Sequence, residues 1–187
     1  MSQKTRGRRE SRLGPRDALA MGAGIASASA AARPRAKAKP SPVRPEDERF
    51  MRLALAEAAA SDFPLGAVIV REGKVVSTGR NLGVTNDDPT AHGEMAAIRR
   101  FVAEHPAKDL KGATLYTTGE PCPMCMGAIV WCGLGRVVYA ASVEQLSKHV
   151  GQIMITSRAL AEATPFADIE ITGGLLAPEA LALFDKN

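Results

Sequence analysis

Two short motifs carry side chains that can bind a metal ion. His92 is followed two residues later by Glu94, and Cys122 is followed three residues later by Cys125. Zinc takes about four ligands, mostly from His and Cys, and a catalytic zinc site leaves one position to water. Three protein ligands are therefore needed, and His92, Cys122 and Cys125 supply them. The motifs predict a catalytic zinc ion (Zn2+).

Glu94 is predicted to be the catalytic residue and not a ligand, because it points away from His92 at the start of a helix. A carboxylate beside metal-activated water can accept a proton and pass it to a ring nitrogen and a leaving amine. That chemistry is hydrolytic deamination, and the two motifs together are a stated signature of zinc deaminases that act on nucleobases. A structural zinc knuckle would need a fourth protein ligand, for which His105 and His149 are poorly spaced, and would leave Glu94 without a role.

The three cysteines, which are Cys122, Cys125 and Cys132, lie within eleven residues of each other. An odd number at this spacing is a poor disulfide framework. A redox role for the Cys-x-x-Cys pair would leave His92 and Glu94 unexplained. We interpret Cys132 as a small buried apolar residue.

Charge is divided unevenly along the 187-residue chain, whose net charge is +4. Residues 1–45 carry 11 Lys or Arg and 2 Asp or Glu, whereas residues 46–187 carry 13 and 18. The predicted deaminase domain, 46–187, is therefore acidic and poorly suited to attract a phosphate backbone. No apolar run that is free of charge reaches the roughly 18 residues of a membrane-spanning helix.

Residues 1–45 show no periodic apolar face, which predicts a disordered basic tail or a wrongly assigned translation start. Alternatively, Arg8 and Arg9 precede a mildly apolar run from Ala18 to Ala32, which resembles a twin-arginine export signal. A mitochondrial transit peptide also fits the Arg-rich composition. We predict a cytoplasmic location, with a periplasmic location as the alternative.

Apolar periodicity predicts helices and strands that alternate along the folded part. This order implies an α/β fold, a three-layer α/β/α sandwich around a mixed sheet. Helix starts near Pro89 and Pro121 would let two helix N-termini face each other across the metal and favour thiolates there. The predicted helices cover 46–61, 89–104, 121–132, 157–163 and 178–184, and the strands cover 67–70, 75–80, 113–118, 136–140 and 169–172.

At these residues the sequence resembles the cytidine-deaminase-like superfamily, especially its branch of guanine, cytosine and tRNA adenosine deaminases. The resemblance covers roughly residues 48–184 and implies a five-stranded sheet between helices, one zinc ion per subunit, and a homodimer or larger assembly. It rests on the stretches FPLGAVIV (63–70), GRNLG (79–83), NDDPTAHGEMAAIR (86–99), ATLYTTGEPCPMCMGAIVW (113–131) and GRVVYAA (135–141).

The resemblance also implies substrate contacts. Asn81 matches the family's substrate-contacting asparagine, whose side-chain amide would form hydrogen bonds with the edge of the substrate ring. Phe63 and Pro64 match the residues of the family's pocket wall. Backbone N–H groups near Gly93 and Cys122 would hold the carbonyl or hydroxyl of the intermediate. The structural alternatives are that Asn81 is a turn residue and that Phe63 belongs to the core.

The substrate is harder to choose, because different segments resemble different branches. Residues 86–92 and 120–131 look like guanine deaminases, His-Gly-Glu looks like cytosine deaminases, and 168–174 look like the tRNA enzymes. Binding RNA needs several cations on one surface, which the acidic domain lacks. We therefore predict a small purine or pyrimidine substrate, a free base or nucleoside, with guanine or a related base favoured.

Two alternatives stay open. The first is a tRNA adenosine-to-inosine deaminase whose basic tail supplies the attraction to RNA. The second is a non-catalytic, zinc-stabilised module that binds nucleic acid.

Overall fold

The structure, a computed structural model, describes residues 37–166 and 168–186. The predictions about the twin-arginine segment fall outside these residues. Within the described part, strands alternate with helices in the predicted manner. The strands are β1 (Ala38–Pro40), β2 (Gly66–Arg71), β3 (Lys74–Arg80), β4 (Thr114–Gly119), β5 (Arg136–Ala141) and β6 (Ile169–Thr172). The helices are α1 (Asp47–Ala59), α2 (Gly93–Glu104), α3 (Pro123–Trp131), α4 (Val143–Leu146), α5 (Ser157–Glu162) and α6 (Ala177–Leu181), with short 3-10 helices at Ala107–Leu110 and Phe184–Lys186.

One mixed sheet joins the strands in the order β1-β6-β5-β4-β2-β3. Strand β2 is antiparallel to both of its neighbours, β3 and β4. Strands β4, β5, β6 and β1 run parallel to each other. Cys122 comes shortly after the carboxyl end of β4, which is where ligand sites form in sheets of this kind.

The two faces of the sheet carry separate apolar cores. In β2, Ala67 and Ile69 join the core formed with α2, α3 and α5, whereas Val68 and Val70 join the core formed with α1 and α6. Alternate residues of a strand point to opposite faces, so one buried strand contributes to both cores. The predicted three-layer α/β/α sandwich is confirmed.

The sheet has six strands and not the predicted five. The additional strand, β1, lies in the segment that we assigned to the basic tail, and it pairs with β6 from Ala38 opposite Ile169 to Pro40 opposite Ile171. Lys39 forms an ion pair with Asp168 at 2.8 Å. A three-residue edge strand with one buried side chain leaves no apolar pattern in the sequence, which explains why we missed it.

Helices α2 and α3 begin later than predicted, at Gly93 and Pro123. Before α2, the Asp88 carboxylate accepts hydrogen bonds from the Thr90 N–H (2.8 Å) and the Thr90 hydroxyl (2.6 Å). A side chain that bonds to the backbone two residues later holds a turn in place of a helix. The later starts make His92 and Cys122 the residues that immediately precede the two helices.

A buried ion pair joins α1 to β5. The Asp47 carboxylate meets the Arg136 guanidinium through two contacts of 2.7 Å, and the Tyr116 hydroxyl donates to Asp47 at 2.8 Å. Burial opposes ionisation of Asp47, but the hydrogen bonds from Arg136, the Arg44 N–H and Tyr116 outweigh it and lower the pKa of Asp47. The pair therefore fixes α1 on the sheet.

Of the helices in the described ranges, none combines the length and the apolar character needed to cross a membrane.

Candidate metal centre and active site

The three predicted ligands come together in the fold. The sulfur atoms of Cys122 and Cys125 lie 3.7 Å apart, and His92 Nδ1 lies 3.7 Å from Cys122 Sγ and 3.6 Å from Cys125 Sγ. Among the described residues, these three form the group of His, Cys and acidic side chains placed to hold a metal ion. His105, His149 and Cys132 do not join them.

The donor triangle has the size that zinc requires. Zn–S bonds of about 2.3 Å and Zn–N bonds of about 2.0–2.1 Å at tetrahedral angles place two sulfurs about 3.8 Å apart and a sulfur and a nitrogen about 3.6 Å apart. The observed separations of 3.6–3.7 Å agree with both values. Two sulfurs and one imidazole nitrogen are also a common zinc donor set. The residues therefore fit a zinc ion with one position left for another ligand.

Helix geometry explains why the three side chains converge. His92 and Cys122 are the N-cap residues of α2 and α3, and neither side chain caps its own helix. Their backbones are extended, so both side chains are free to turn toward each other. Cys125 lies three residues after Cys122, on the same side of the first turn of α3.

In the protein alone, the three donor side chains have pKa values that are shifted in different directions. The hydrogen bond between the Cys122 and Cys125 sulfurs lowers the pKa of Cys122 to about 4; burial opposes this shift and His92 adds to it. The same hydrogen bond, together with burial, raises the pKa of Cys125. The hydrogen bond with Cys122 also raises the pKa of His92. A metal cation would replace these protons.

Glu94 lies in the first turn of α2, two residues after His92, and is buried. Its Oε1 accepts a hydrogen bond of 3.3 Å from the hydroxyl of Thr117 in β4. Burial raises the pKa of Glu94, which favours the protonated carboxyl more than water would. A raised pKa makes this carboxyl a stronger base, which suits a group that accepts and then returns a proton.

Two adjoining cavities open at His92, and both are bordered by Phe63 and Asn81. Their volumes are about 270 Å3 and about 610 Å3, and the larger one falls within the range of small-molecule sites, which is about 300–1,000 Å3. Of the described residues that line them, none is a lysine or an arginine. The smaller cavity is further lined by Leu65, Cys122, Val150, Gly151, Gln152 and Ile153, and the larger one by Gly83, Val84, Asp87 and Pro89.

The predicted substrate residues divide into two pairs. Asn81 and Phe63 line both cavities, and Asn81 Oδ1 accepts a hydrogen bond of 3.1 Å from the N–H of Gly83. Pro64 and Gly93 are buried and are not among the described residues that line either cavity. A Cβ atom on Gly93 would lie 3.1 Å from the Cα of Gly66, so this glycine brings α2 close to β2.

Sequence reasoning missed three contributors to the site. Thr117, in strand β4, donates a hydrogen bond to Glu94. Residues Val150–Ile153 form a wall of the smaller cavity and belong to a segment that contains no motif. Glu120, which is buried beside the cysteine motif, bonds two distant backbone groups. For Glu120 the sequence does contain one signal of a structural role, which is an acidic side chain placed between a strand and a buried loop.

The chain belongs to the cytidine and deoxycytidylate deaminase family, whose zinc-binding region matches residues 44–141, more than half of the chain. This match contains the three donors and Glu94. The fold and the metal-binding triangle agree with this assignment.

Two relatives differ in their substrates. The chain is 49% identical over 99 residues to the guanine deaminase of Bacillus subtilis, covering 50% of this chain and 64% of that protein. It is 37% identical over 121 residues to the tRNA-specific adenosine deaminase of Aquifex aeolicus, covering 63% of this chain and 78% of that protein. The chain thus spans less than two thirds of the guanine deaminase.

The fold is similar to the solved structure of the guanine deaminase from Nitrosomonas europaea, with a TM-score of 0.62 and 27% identity. The similarity covers 94% of this chain and 98% of that one. It therefore extends beyond the residues of the zinc-binding region.

Proposed function

We propose that this protein is a zinc-dependent hydrolase that deaminates a free nucleobase or nucleoside, with guanine or a related base favoured, and releases ammonia. One observation carries the proposal. The His92, Cys122 and Cys125 donors form a zinc-sized triangle at a cavity, and the buried carboxyl of Glu94 follows His92 in the same helix start. A zinc ion held there would supply Lewis-acid activation of water.

The protein's own contribution to proton transfer centres on Glu94. Thr117 donates a hydrogen bond to Oε1, and the carboxyl would accept a proton from water and return it to a ring nitrogen and the leaving amine. The buried position of Glu94 limits competition from bulk water. Thr117 holds the carboxyl in one orientation while the proton moves.

The cavity lining favours a neutral base. Asn81 Oδ1 is engaged by the Gly83 N–H, so the two amide hydrogens of Asn81 are left to donate to acceptors on a ring edge. Phe63 offers an apolar face to the ring. The lining residues include no lysine or arginine within the described chain, so a phosphate-bearing nucleotide would find no matching cation there. Guanine is favoured by the similarity to guanine deaminases.

Hydrolysis of adenosine in tRNA is the second candidate, because the chain is also similar to tRNA-specific adenosine deaminases. The acidic balance of residues 46–187, with 13 basic and 18 acidic side chains, weighs against it. A non-catalytic zinc module is the third candidate. It would have no use for a buried carboxyl at position 94.

We also propose that the protein forms a homodimer through the outer face of α3. This helix contains no charged or polar side chain, yet Met124, Gly127, Ala128 and Trp131 form a stripe that is half-buried or exposed. Trp131 is 76% exposed. A helix that is apolar all round is normally buried on every side. We expect Trp131→Glu to produce monomers in sedimentation velocity, and a monomeric native protein would contradict the proposal.

The test of the proposed activity is an ammonia-release screen of zinc-loaded protein. The substrates are guanine, cytosine, adenine, their nucleosides and a tRNA anticodon hairpin. We expect turnover of guanine or a related base without RNA. Turnover of the hairpin alone, with a steep dependence on salt, would favour the second candidate.

The role of Glu94 is tested by Glu94→Gln, with Glu104→Gln as the control because Glu104 lies exposed at the end of the same helix. We expect Glu94→Gln to keep its fold and its zinc and to lose about 10²–10⁴-fold in turnover. Glu104→Gln should match the native protein. A fully active Glu94→Gln variant would exclude the mechanism.

A further inference from the structure

The buried carboxylate of Glu120 accepts hydrogen bonds from two backbone N–H groups that are far apart in the sequence. Glu120 Oε2 accepts a hydrogen bond of 2.9 Å from the N–H of Val143, and Oε1 accepts one of 2.8 Å from the N–H of Ser157. Glu120 is 6% exposed, and its own N–H donates to the carbonyl of Ala141 at 2.7 Å. Both side-chain oxygens and the backbone are therefore engaged.

The two donors mark the ends of one segment. Val143 is the first residue of α4 and Ser157 is the first residue of α5. The chain between them contains Val150–Ile153, which form a wall of the smaller cavity at His92 and Cys122. Glu120 stands two residues before Cys122. One side chain thus connects the loop that carries a metal donor to both ends of the cavity wall.

Beyond Val150, whose N–H donates to the carbonyl of Leu146 at 3.0 Å, the wall has little other support. In the described ranges, the one backbone hydrogen bond of residues 151–155 runs from the N–H of Ile155 to the carbonyl of Ile153. Of residues 151–156, Gln152 is the half-buried one and the others are exposed. Ile153 and Met154 are 61% and 59% exposed. The position of this segment therefore depends on how its ends are held.

We propose that Glu120 is a positioning residue that holds the segment 143–157 against the cysteine loop, so that its wall completes the substrate cavity. This role rests on the proposed deaminase function. Glu120 touches neither the metal donors nor the cavity at His92, and it acts through the segment it holds. Loss of the connection lets the wall move away from the cavity while the zinc donors stay in place.

The test compares zinc-loaded native protein with Glu120→Gln and Glu144→Gln. A glutamine keeps the shape of Glu120 but has one acceptor oxygen, so it can receive one of the two N–H groups and not both. Glu144 is exposed on the same segment and makes no side-chain hydrogen bond among the described residues, which makes it a matched control. Zinc content, amide hydrogen exchange and steady-state kinetics are measured on each protein.

We expect Glu120→Gln to retain its zinc and to lose about tenfold in exchange protection at the amide of Val143 or Ser157. The KM for the base should rise about tenfold with kcat within about twofold, because Glu94 and the donors are unchanged. Glu144→Gln should match the native protein in every measurement.

Three results would overturn the proposal. Unchanged exchange at both amides would show that the hydrogen bonds do not hold the segment. Faster exchange throughout the domain with loss of zinc would show general structural support. A fall in kcat with an unchanged KM would place Glu120 in the chemistry. If the native protein deaminates no base, the proposed function fails, whereas exchange at Val143 and Ser157 still decides whether Glu120 holds the segment.

Discussion

Gly79 in β3 controls how closely α2 approaches the sheet, and the substitution Gly79→Ala should disturb the metal centre from a distance. A Cβ atom at this position would fall well within 3.0 Å of the Gly93 carbonyl oxygen and the Ala97 amide nitrogen. Both are backbone atoms, so no side-chain rotation relieves the overlap. Restoring ordinary contact requires α2 to move outward by on the order of 1 Å.

A movement of that size is large compared with the metal geometry. His92 and Glu94 lie at the start of α2, whereas Cys122 and Cys125 lie at the start of α3. Zinc–ligand distances tolerate only about 0.2 Å, so the donor triangle should open and zinc affinity should fall. A misplacement of about 1 Å also costs about 10²-fold in rate. Overpacking against backbone on the helix side should reduce the free energy of unfolding by about 3 kcal/mol.

The assay measures bound zinc after dialysis against a chelator, together with urea unfolding. Glu104→Ala is the control, because Glu104 is exposed at the far end of the same helix, α2, away from the metal donors. We expect it to retain zinc at the native level. A Gly79→Ala protein with native zinc content and native stability would refute the argument that this contact places α2.

Four further outcomes follow from the contacts and pKa values. Asp47→Asn should lower the free energy of unfolding by about 3–5 kcal/mol, because the buried Arg136 loses its two carboxylate contacts of 2.7 Å and keeps a longer ion pair of 3.7 Å with the partly exposed Glu170. Folding lowers the pKa of Asp47, so the stability that this group contributes is present above its ordinary pKa of 3.8 and is lost as the pH falls through the pKa of the folded state. Unfolding of the native and variant proteins, measured over an acid titration, will show this loss. After zinc removal, Cys122 should be alkylated faster at pH 7 than Cys132, because the pKa of Cys122 is lowered and that of Cys132 is raised by burial. Added zinc should protect Cys122. Equal alkylation rates, measured by mass spectrometry, would contradict this order. Asn81→Ala should raise the KM for the base about tenfold with zinc content unchanged, and an unchanged KM would exclude Asn81 from ring recognition.

The metal donors could be predicted from the sequence because the information is local. Cys122 and Cys125 are one helical turn apart, and His92 with Glu94 form a second short motif. The period of the apolar residues gave the strands and helices of the sandwich for the same reason. The start of α2 was misplaced because Asp88 favours a turn where we expected the first turn of that helix.

The features that could not be predicted depend on contacts between distant parts of the chain. Asp47 and Arg136 are 89 residues apart, and the pattern of α1 gives no sign that its first acidic residue is buried. The cavity wall at Val150–Ile153 has no periodicity of its own and is placed by Glu120. Strand β1 is defined by its pairing with β6 and not by its composition.

The attachment of both ends of 143–157 to a single carboxylate has a consequence for how this protein can change. Between two fixed ends, doubling the length of a flexible loop costs only about 0.6 kcal/mol in closure entropy. Insertions or deletions between Val143 and Ser157 can therefore reshape the cavity wall at small cost in stability, while the donors on α2 and α3 stay in position. The fold separates the fixed donors on α2 and α3 from a segment, 143–157, that can be replaced. New substrate preferences can therefore be engineered by replacing this segment alone.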